Sequence, residues 1–426
     1  MIVLLMMASI VCNYLFGLVM DKPRYKRHVL TLAIIFNLLL LVIFKYLGLL
    51  TVIINSFLDT AFPVPKITLP IGISFFTFQA ISYVIDVYRD KSLKEKNILN
   101  IFLYISFFPQ LMAGPINKFN DMAPQIRRRV HSVEKTIYGI KRFVYGFAKK
   151  VIISDALGLI ADNVFDNLNQ GISMPAAWTG IACYMFQIFF DFSGYSDMAI
   201  GLAKLFGFDF RENFNYPYAA LSMTDFWRRW NISVSTWFKE YVYIPLGGNR
   251  LGILRTNINK MIVFFLTGLW HGANFTFIAW GLLHGLFLTL ENFNIIPVRK
   301  AKKFFSKCIC NLYVLLVSGV TFAVFRAETL QDGFYIIKQM FSGSLNPQTN
   351  QDALIFGQIT PYIVFLFIAG FIVSLKTVPA LSKYLRKKNY TLLVKTASYI
   401  VPAILYLLCI LNMSSSSYSP FIYFRF

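Results

Sequence analysis

The sequence predicts an all-α fold, a polytopic transmembrane bundle of about nine to eleven helices. Three observations carry that prediction. Hydrophobic residues make up 57% of the 426 and charged residues only 14%, with a mean hydropathy of +0.57, whereas soluble domains are about 25% charged. Several apolar runs reach the roughly 17–25 residues that a spanning helix needs. No run shows the period-2 alternation of a transmembrane barrel, and helices are the other structure that satisfies its own backbone in lipid.

The apolar runs are residues 2–20, 29–58, 69–87, 98–112, 137–160, 176–206, 261–290, 312–325, 354–375 and 392–411. Run 2–20 is followed by Asp-Lys-Pro-Arg and not by a small-residue cleavage site, so it reads as a retained first helix. Run 29–58 crosses once, which places Met1 and the loop 59–66 on the outer side. Run 98–112 ends in Met-Ala-Gly-Pro-Ile (112–116), either a plain turn or the tip of a re-entrant segment. In run 176–206, Gly194 is a candidate break. Some runs are too long or too short for one span, which gives the range in the helix count. With no internal repeat and no long polar linker, residues 1–426 read as one integral-membrane domain.

The net charge is +21. Its distribution argues against nucleic acid as a partner. Basic residues cluster between apolar runs, at 21–28, 127–131, 299–303 and 383–388. That is the positive-inside pattern of a multi-pass membrane protein, with these loops cytoplasmic and available to anionic headgroups. The five cysteines show no zinc or redox spacing, and no metal site is expected.

Residues 208–260 stand apart, being far richer in aromatic and charged residues than their flanks. Thr224-Asp225 before Phe-Trp-Arg-Arg-Trp predicts a capped helix start, with Tyr216-Pro217 and Pro245-Leu-Gly-Gly closing the stretch on both sides. Such a helix lies in the membrane interface or dips into the protein as a re-entrant segment. Irregular backbone at membrane depth must be buried in protein or line a wet cavity, so this stretch is expected to line one.

His271 lies in the run 261–290, and residues 261–285 contain no Asp, Glu, Lys or Arg. A side chain that titrates near neutral pH is costly there, and it serves either as a catalytic base or as a polar brace bonded to a neighbouring helix. On an unbroken helix His284 falls about 220° round from His271, near the opposite face, and reads as structural, whereas Asn274 shares His271's side. Asn231 is either a helix cap or an amide that orients a thioester. Arg228 and Arg229 are interface charges or grips for cofactor phosphates. Asp191 and Asp197 are separated by about 240° on a helix and do not form one carboxylate pair; they satisfy the bundle's polar groups or act as relays. Gly247-Gly248-Asn249-Arg250 does not frame a nucleotide loop, and no Ser-His-Asp set or GxSxG elbow is present.

Five blocks occur in order: LPIGISFFTFQAISYVIDVYR (69–89), MAGPI (112–116), DFSGYSDMAIGLAKLFGF (191–208), DFWRRW to YIPLGGNR (225–250) and GLWHGANFTFIAWG (268–281). Together they resemble the membrane-bound O-acyltransferase family, in its bacterial alginate O-acetyltransferase-like branch. The resemblance implies about eleven helices and re-entrant elements around a central funnel or tunnel, in the bacterial cytoplasmic membrane. It implies that His271 is the catalytic histidine, that the donor is a cytoplasmic thioester, acetyl-CoA, and that no cofactor stays bound. It also implies an extracytoplasmic polysaccharide acceptor and a periplasmic or extracellular acetyl-esterase-like (SGNH-type) partner. The branch commonly has histidine where this chain has Asn231, and relatives often carry more apolar sequence before residue 2.

On that reading His271 takes a proton from the acceptor hydroxyl and Asn231 orients the donor or stabilises the developing oxyanion. Trp230, Tyr243 and Asn274 are candidate lining residues by proximity in sequence, and Arg228 and Arg229 are candidates for the donor phosphates. Two other readings are D-alanyl transfer to teichoic acid and a transporter of lipid-linked sugar or acyl groups that does no chemistry.

Overall fold

A computed structural model describes residues 2–20, 24–298, 303–345, 350–415 and 420–422. The basic run 299–303 falls outside the described residues except for Lys303, and 21–28 is described only from Arg24. The fold is all-α, with no strand among the described residues. Helix α1 spans Ile2–Val19. Helix α2 (Lys26–Leu41) runs through a π turn, Val42–Tyr46, into α3 (Leu47–Leu58). There follow α4 (Ile73–Arg89), α5 (Ile98–Ser106), α6 (Phe108–Leu111), α7 (Phe119–Arg127) and α8 (Val133–Ala148). A second π turn, Lys149–Ser154, leads into α9 (Asp155–Phe165), and α10 (Met174–Leu205) is the longest uninterrupted α-helix among the described residues. Short helices α11 (Met223–Trp227) and α12 (Ile232–Phe238) precede α13 (Gly252–His271) and α14 (Phe275–Asn292). The chain then forms α15 (Phe304–Arg326), α16 (Leu330–Met340), α17 (Asn350–Gly357), α18 (Pro361–Ser374), α19 (Thr377–Lys387) and α20 (Thr391–Ser415).

Among the described residues, three helices are individually long and apolar enough to cross a membrane, Lys26–Leu58, Phe304–Arg326 and Thr391–Ser414, and the pair α17 and α18, bent by 71°, would make a fourth. The other apolar runs are shorter helices, are interrupted, or carry charges that the bundle pairs. Run 137–160 is divided by the π turn at Lys149–Ser154, and run 261–290 is divided at residues 272–274. Helix α10 carries Asp197, which pairs with Arg142 and Lys149 of the adjacent segment at 2.7 Å each. Large apolar side chains such as Phe57, Leu4 and Leu407 point outward, which suits a lipid surroundings better than water.

Packing of α8 on α10 depends on glycine. A β-carbon on Gly146 would stand 2.4 Å from the Gly194 carbonyl oxygen, and one on Gly139 would stand 2.7 Å from that of Gly201. Seven residues separate the two contacts on each helix, so one small-residue stripe brings the two backbones together, as membrane helices commonly do. Gly194 therefore does not break α10, which continues through it to Leu205. Ser173 and Pro175 start that helix, and the Ser173 hydroxyl donates to Asp352 at 3.1 Å.

The aromatic stretch 208–260 enters the protein. Phe226, Trp227, Trp230, Trp237 and Phe238 are all buried. Helix α11 starts two residues earlier than the sequence suggests, because the Ser222 hydroxyl accepts the Asp225 N–H at 2.9 Å. Buried Glu291 of α14 also accepts the Thr224 N–H at 3.0 Å and its hydroxyl at 2.7 Å, a carboxylate set against a helix N-terminus. Trp237 stacks on Phe78 of α4 with centroids 3.8 Å apart, and Tyr241 donates to Asp86 at 2.8 Å.

Candidate active site

His271 is the last residue of α13. Gly272 takes up extended backbone, with φ −169° and ψ 161°, and Asn274 then starts α14 by accepting the Thr276 N–H at 3.2 Å. The apolar run 261–290 is thus a tight helical hairpin. Its closeness rests on two glycines: a β-carbon on Gly268 would lie 2.4 Å from the Phe277 carbonyl oxygen, and one on Gly281 would lie 2.3 Å from that of Phe264. Because α13 ends at His271 and α14 begins at Phe275, angles round one unbroken helix do not relate Asn274 or His284 to His271.

The final carbonyls of a helix lack partners within it. Here the π turn Val42–Tyr46 supplies them. The Tyr46 hydroxyl donates to the Leu269 carbonyl at 2.6 Å, and Lys45 Nζ donates to those of Trp270 at 2.6 Å and His271 at 3.1 Å. Lys45 Nζ also donates to Ser74 Oγ at 3.1 Å, which adds the first turn of α4 to the same junction.

The His271 imidazole is buried among aromatic rings. Trp280 meets it edge-on at 4.9 Å, Phe325 at 5.2 Å and Trp270 at 4.9 Å. It opens onto a cavity of about 10 Å³ that is also lined by Trp230, Ile188, Phe192, Phe322 and Ile422. That volume is about the space of one water. Ile422 belongs to the segment after α20. Its N–H donates to Asp191 Oδ2 at 3.0 Å, and Asp191 pairs with Lys150 Nζ at 2.8 Å. Asp191 therefore holds the returning chain against the cavity.

Of the residues singled out from sequence, Trp230 shares His271's cavity. Asn231 follows directly, buried and in left-handed backbone with φ 43° and ψ 55°, and its Oδ1 has no hydrogen-bond partner. Asn213 shapes this turn: its carbonyl accepts the Ile232 N–H at 2.9 Å and its Oδ1 accepts the Ser233 N–H at 3.1 Å. Arg228 projects to the surface, whereas Arg229 pairs with Asp225 at 2.9 Å and donates to the Asn215 carbonyl at 3.3 Å. Asn274 has its amide committed, with Nδ2 donating to the Glu328 carbonyl at 2.9 Å. Tyr243 bonds to Thr256 near the start of α13; fifteen residues of helix, about 22 Å, separate Thr256 from His271. Tyr243 and His271 therefore lie near opposite ends of α13. Lys45, Tyr46 and Ile422 were not singled out from sequence. Only Lys45 carried a signal, as the one charged residue in run 29–58.

A buried imidazole at the apex of a helical hairpin, walled by aromatic rings within an all-helical membrane bundle, defines a membrane-embedded site suited to proton transfer. The chain belongs to the membrane-bound O-acyltransferase family, whose model matches residues 73–325. It is 43% identical to a probable alginate O-acetylase of Pseudomonas aeruginosa over 80% of this chain and 66% of that protein. It is 37% identical to a probable alginate O-acetylase of Azotobacter vinelandii over 98% of this chain and 90% of that one. A peptidoglycan O-acetyltransferase of Helicobacter pylori is 36% identical over 79% of this chain and 69% of its own length.

Proposed function

We propose that this protein is an O-acetyltransferase of the bacterial cytoplasmic membrane, moving acetyl from cytoplasmic acetyl-CoA to hydroxyls of an extracytoplasmic polysaccharide. An acetyl-esterase-like protein on the outer side would be its partner in the final transfer. The observation that carries the reading is His271 itself, at a helix end inside the bundle and sharing a cavity with Trp230. Two of the relatives are named for alginate and one for peptidoglycan, all for O-acetylation, which supports an acetyl group and a glycan acceptor over D-alanyl transfer.

In the proposed reaction the acceptor oxygen attacks the thioester carbonyl carbon and the carbon–sulfur bond breaks. His271 takes the hydroxyl proton and delivers it to the departing thiolate. Asn231, next in sequence to Trp230 of the cavity, offers a buried amide whose Oδ1 is unused and can accept from the donor to orient it, and whose Nδ2 can donate to the oxyanion. Because the cavity is about the size of one water, the wall around His271 must open to admit an acetyl group. Arg228, exposed on the turn before Trp230, is the better placed of the two arginines for donor phosphates.

The test is chemical analysis of the cell-surface polymers in strains carrying wild type and His271→Ala at equal membrane levels. The expected result is O-acetyl ester lost in the variant and D-alanyl ester unchanged. Loss of D-alanyl ester instead would establish D-alanylation, and acetylation that persists in the variant would remove His271 from the reaction. Export of lipid-linked sugar that a protonophore stops, with no ester formed, would establish a transporter.

A further inference from the structure

Lys45 is the one charged residue in the apolar run 29–58, and an ionisable group at such depth is usually retained for function, with an identifiable partner. Its partners are backbone carbonyls of the residue that carries the imidazole and of the residue before it. It sits on a π turn, an irregularity common at functional sites.

We propose that Lys45 is a positioning residue for the reaction at His271: its amine fixes the last turn of α13 and with it the direction of the imidazole. The proposal rests on the reading of His271 as the reacting base. After His271 the backbone turns extended at Gly272, so no further helical turn restrains the ring from that side. Restraint comes from across the bundle. Lys45 and Tyr46 together occupy the carbonyls of Leu269, Trp270 and His271. The third bond of Lys45, to Ser74 Oγ, ties the junction to α4, whose Phe75 and Phe78 pack on Trp270 with centroids 5.3 and 5.7 Å away. Ring and backbone of the Trp270-His271 pair are thus held by two separate helices. Carbonyls left without donors in an apolar interior seek other partners, so loss of the amine lets the turn rearrange and the imidazole swing.

The experiment compares Lys45→Met and Lys45→Arg with wild type in purified protein, by steady-state acetyl transfer and by spectra of 15N-labelled histidine. Resonances of His271 are identified by their loss in His271→Ala. In Lys45→Met, kcat is expected to fall about 10- to 100-fold, the range for a misplaced reacting group, with KM for acetyl-CoA within about twofold of wild type. The His271 ring resonances move and those of His284 stay. Lys45→Arg, which keeps donors at that place, recovers most of the rate. If Lys45→Met does not fold, Ser74→Ala, which removes one of the three bonds, is expected to shift the same resonances less. Unchanged kcat in Lys45→Met overturns the proposal, as do unmoved His271 resonances in whichever variant folds. The spectra report on positioning whatever group is transferred, so a failure of the acetyl reading is separable from a failure of this one.

Discussion

The indole Nε1 of Trp227 donates to Nδ1 of His284 at 3.2 Å, and that bond separates the roles of the two buried histidines. His284 is committed to the helix α11 that it braces, with Trp227 and Trp280 rings at 5.2 and 4.9 Å. Trp280 also faces His271 at 4.9 Å, so one indole stands against both imidazoles. His271 lines the cavity that Trp230 shares, and His284 is not part of that cavity's lining.

His284→Ala leaves the Trp227 N–H without an acceptor and is expected to cost about 1–3 kcal/mol for that group alone, read as a lowered melting midpoint. His284→Gln, which keeps an acceptor, should retain more than about a tenth of wild-type transfer, since base catalysis itself contributes about 10²–10⁴-fold. A well-folded His284→Gln as inactive as His271→Ala would show that His284 takes part in the chemistry.

Gly268→Ala puts a methyl 2.4 Å from the Phe277 carbonyl oxygen. Backbone on the facing helix cannot yield as a flexible side chain does, so the α13–α14 hairpin must open. About 1–3 kcal/mol of stability is the expected loss, and transfer should fall further than the folded fraction does, because His271 sits three residues from the contact. Equal falls in the two would show that the hairpin spacing does not set the site.

The arginines are expected to divide. Arg229 is bonded to Asp225 and Asn215, so Arg229→Ala should lower stability. Arg228 is exposed, and Arg228→Ala should raise KM for acetyl-CoA with kcat unchanged, an effect that fades as salt screens the phosphates. An unaltered KM at low ionic strength would place the donor elsewhere.

Asn231 holds left-handed backbone, which asparagine tolerates and glycine accepts freely. Asn231→Gly therefore removes the amide without straining the turn. Transfer should drop about 10²–10³-fold, the usual cost of losing an oxyanion donor, while the melting midpoint changes little. A kcat near wild type would reduce Asn231 to a turn former.

Much of the fold was legible because helix formation in lipid follows from apolar composition and length. Where the reading went astray, the chain used features that periodicity does not register. The break after His271 hides in an apolar run because Gly272 and Ala273 do not interrupt hydropathy, although Asn274 before an apolar stretch was a capping signal. Gly194, taken as a candidate break, is a point of close approach between α8 and α10. Of the residues read from sequence, Trp230, a candidate lining residue by proximity alone, shares a cavity with His271. Ile422 was not, since it lies 151 residues beyond His271 in sequence and nothing local marks an isoleucine that returns to a cavity. Tyr243 was grouped with His271 by proximity in sequence, but the length of α13 sets the two far apart.

The most direct measurement uses purified protein in detergent or nanodiscs with acetyl-CoA labelled in its acetyl group and a hydroxyl-bearing glycan acceptor. Wild type is expected to move label into base-labile ester on the acceptor with release of free CoA thiol in equal amount, and His271→Ala to form neither above the uncatalysed rate. Ester formation by His271→Ala at the wild-type rate, with both proteins folded, would contradict the account.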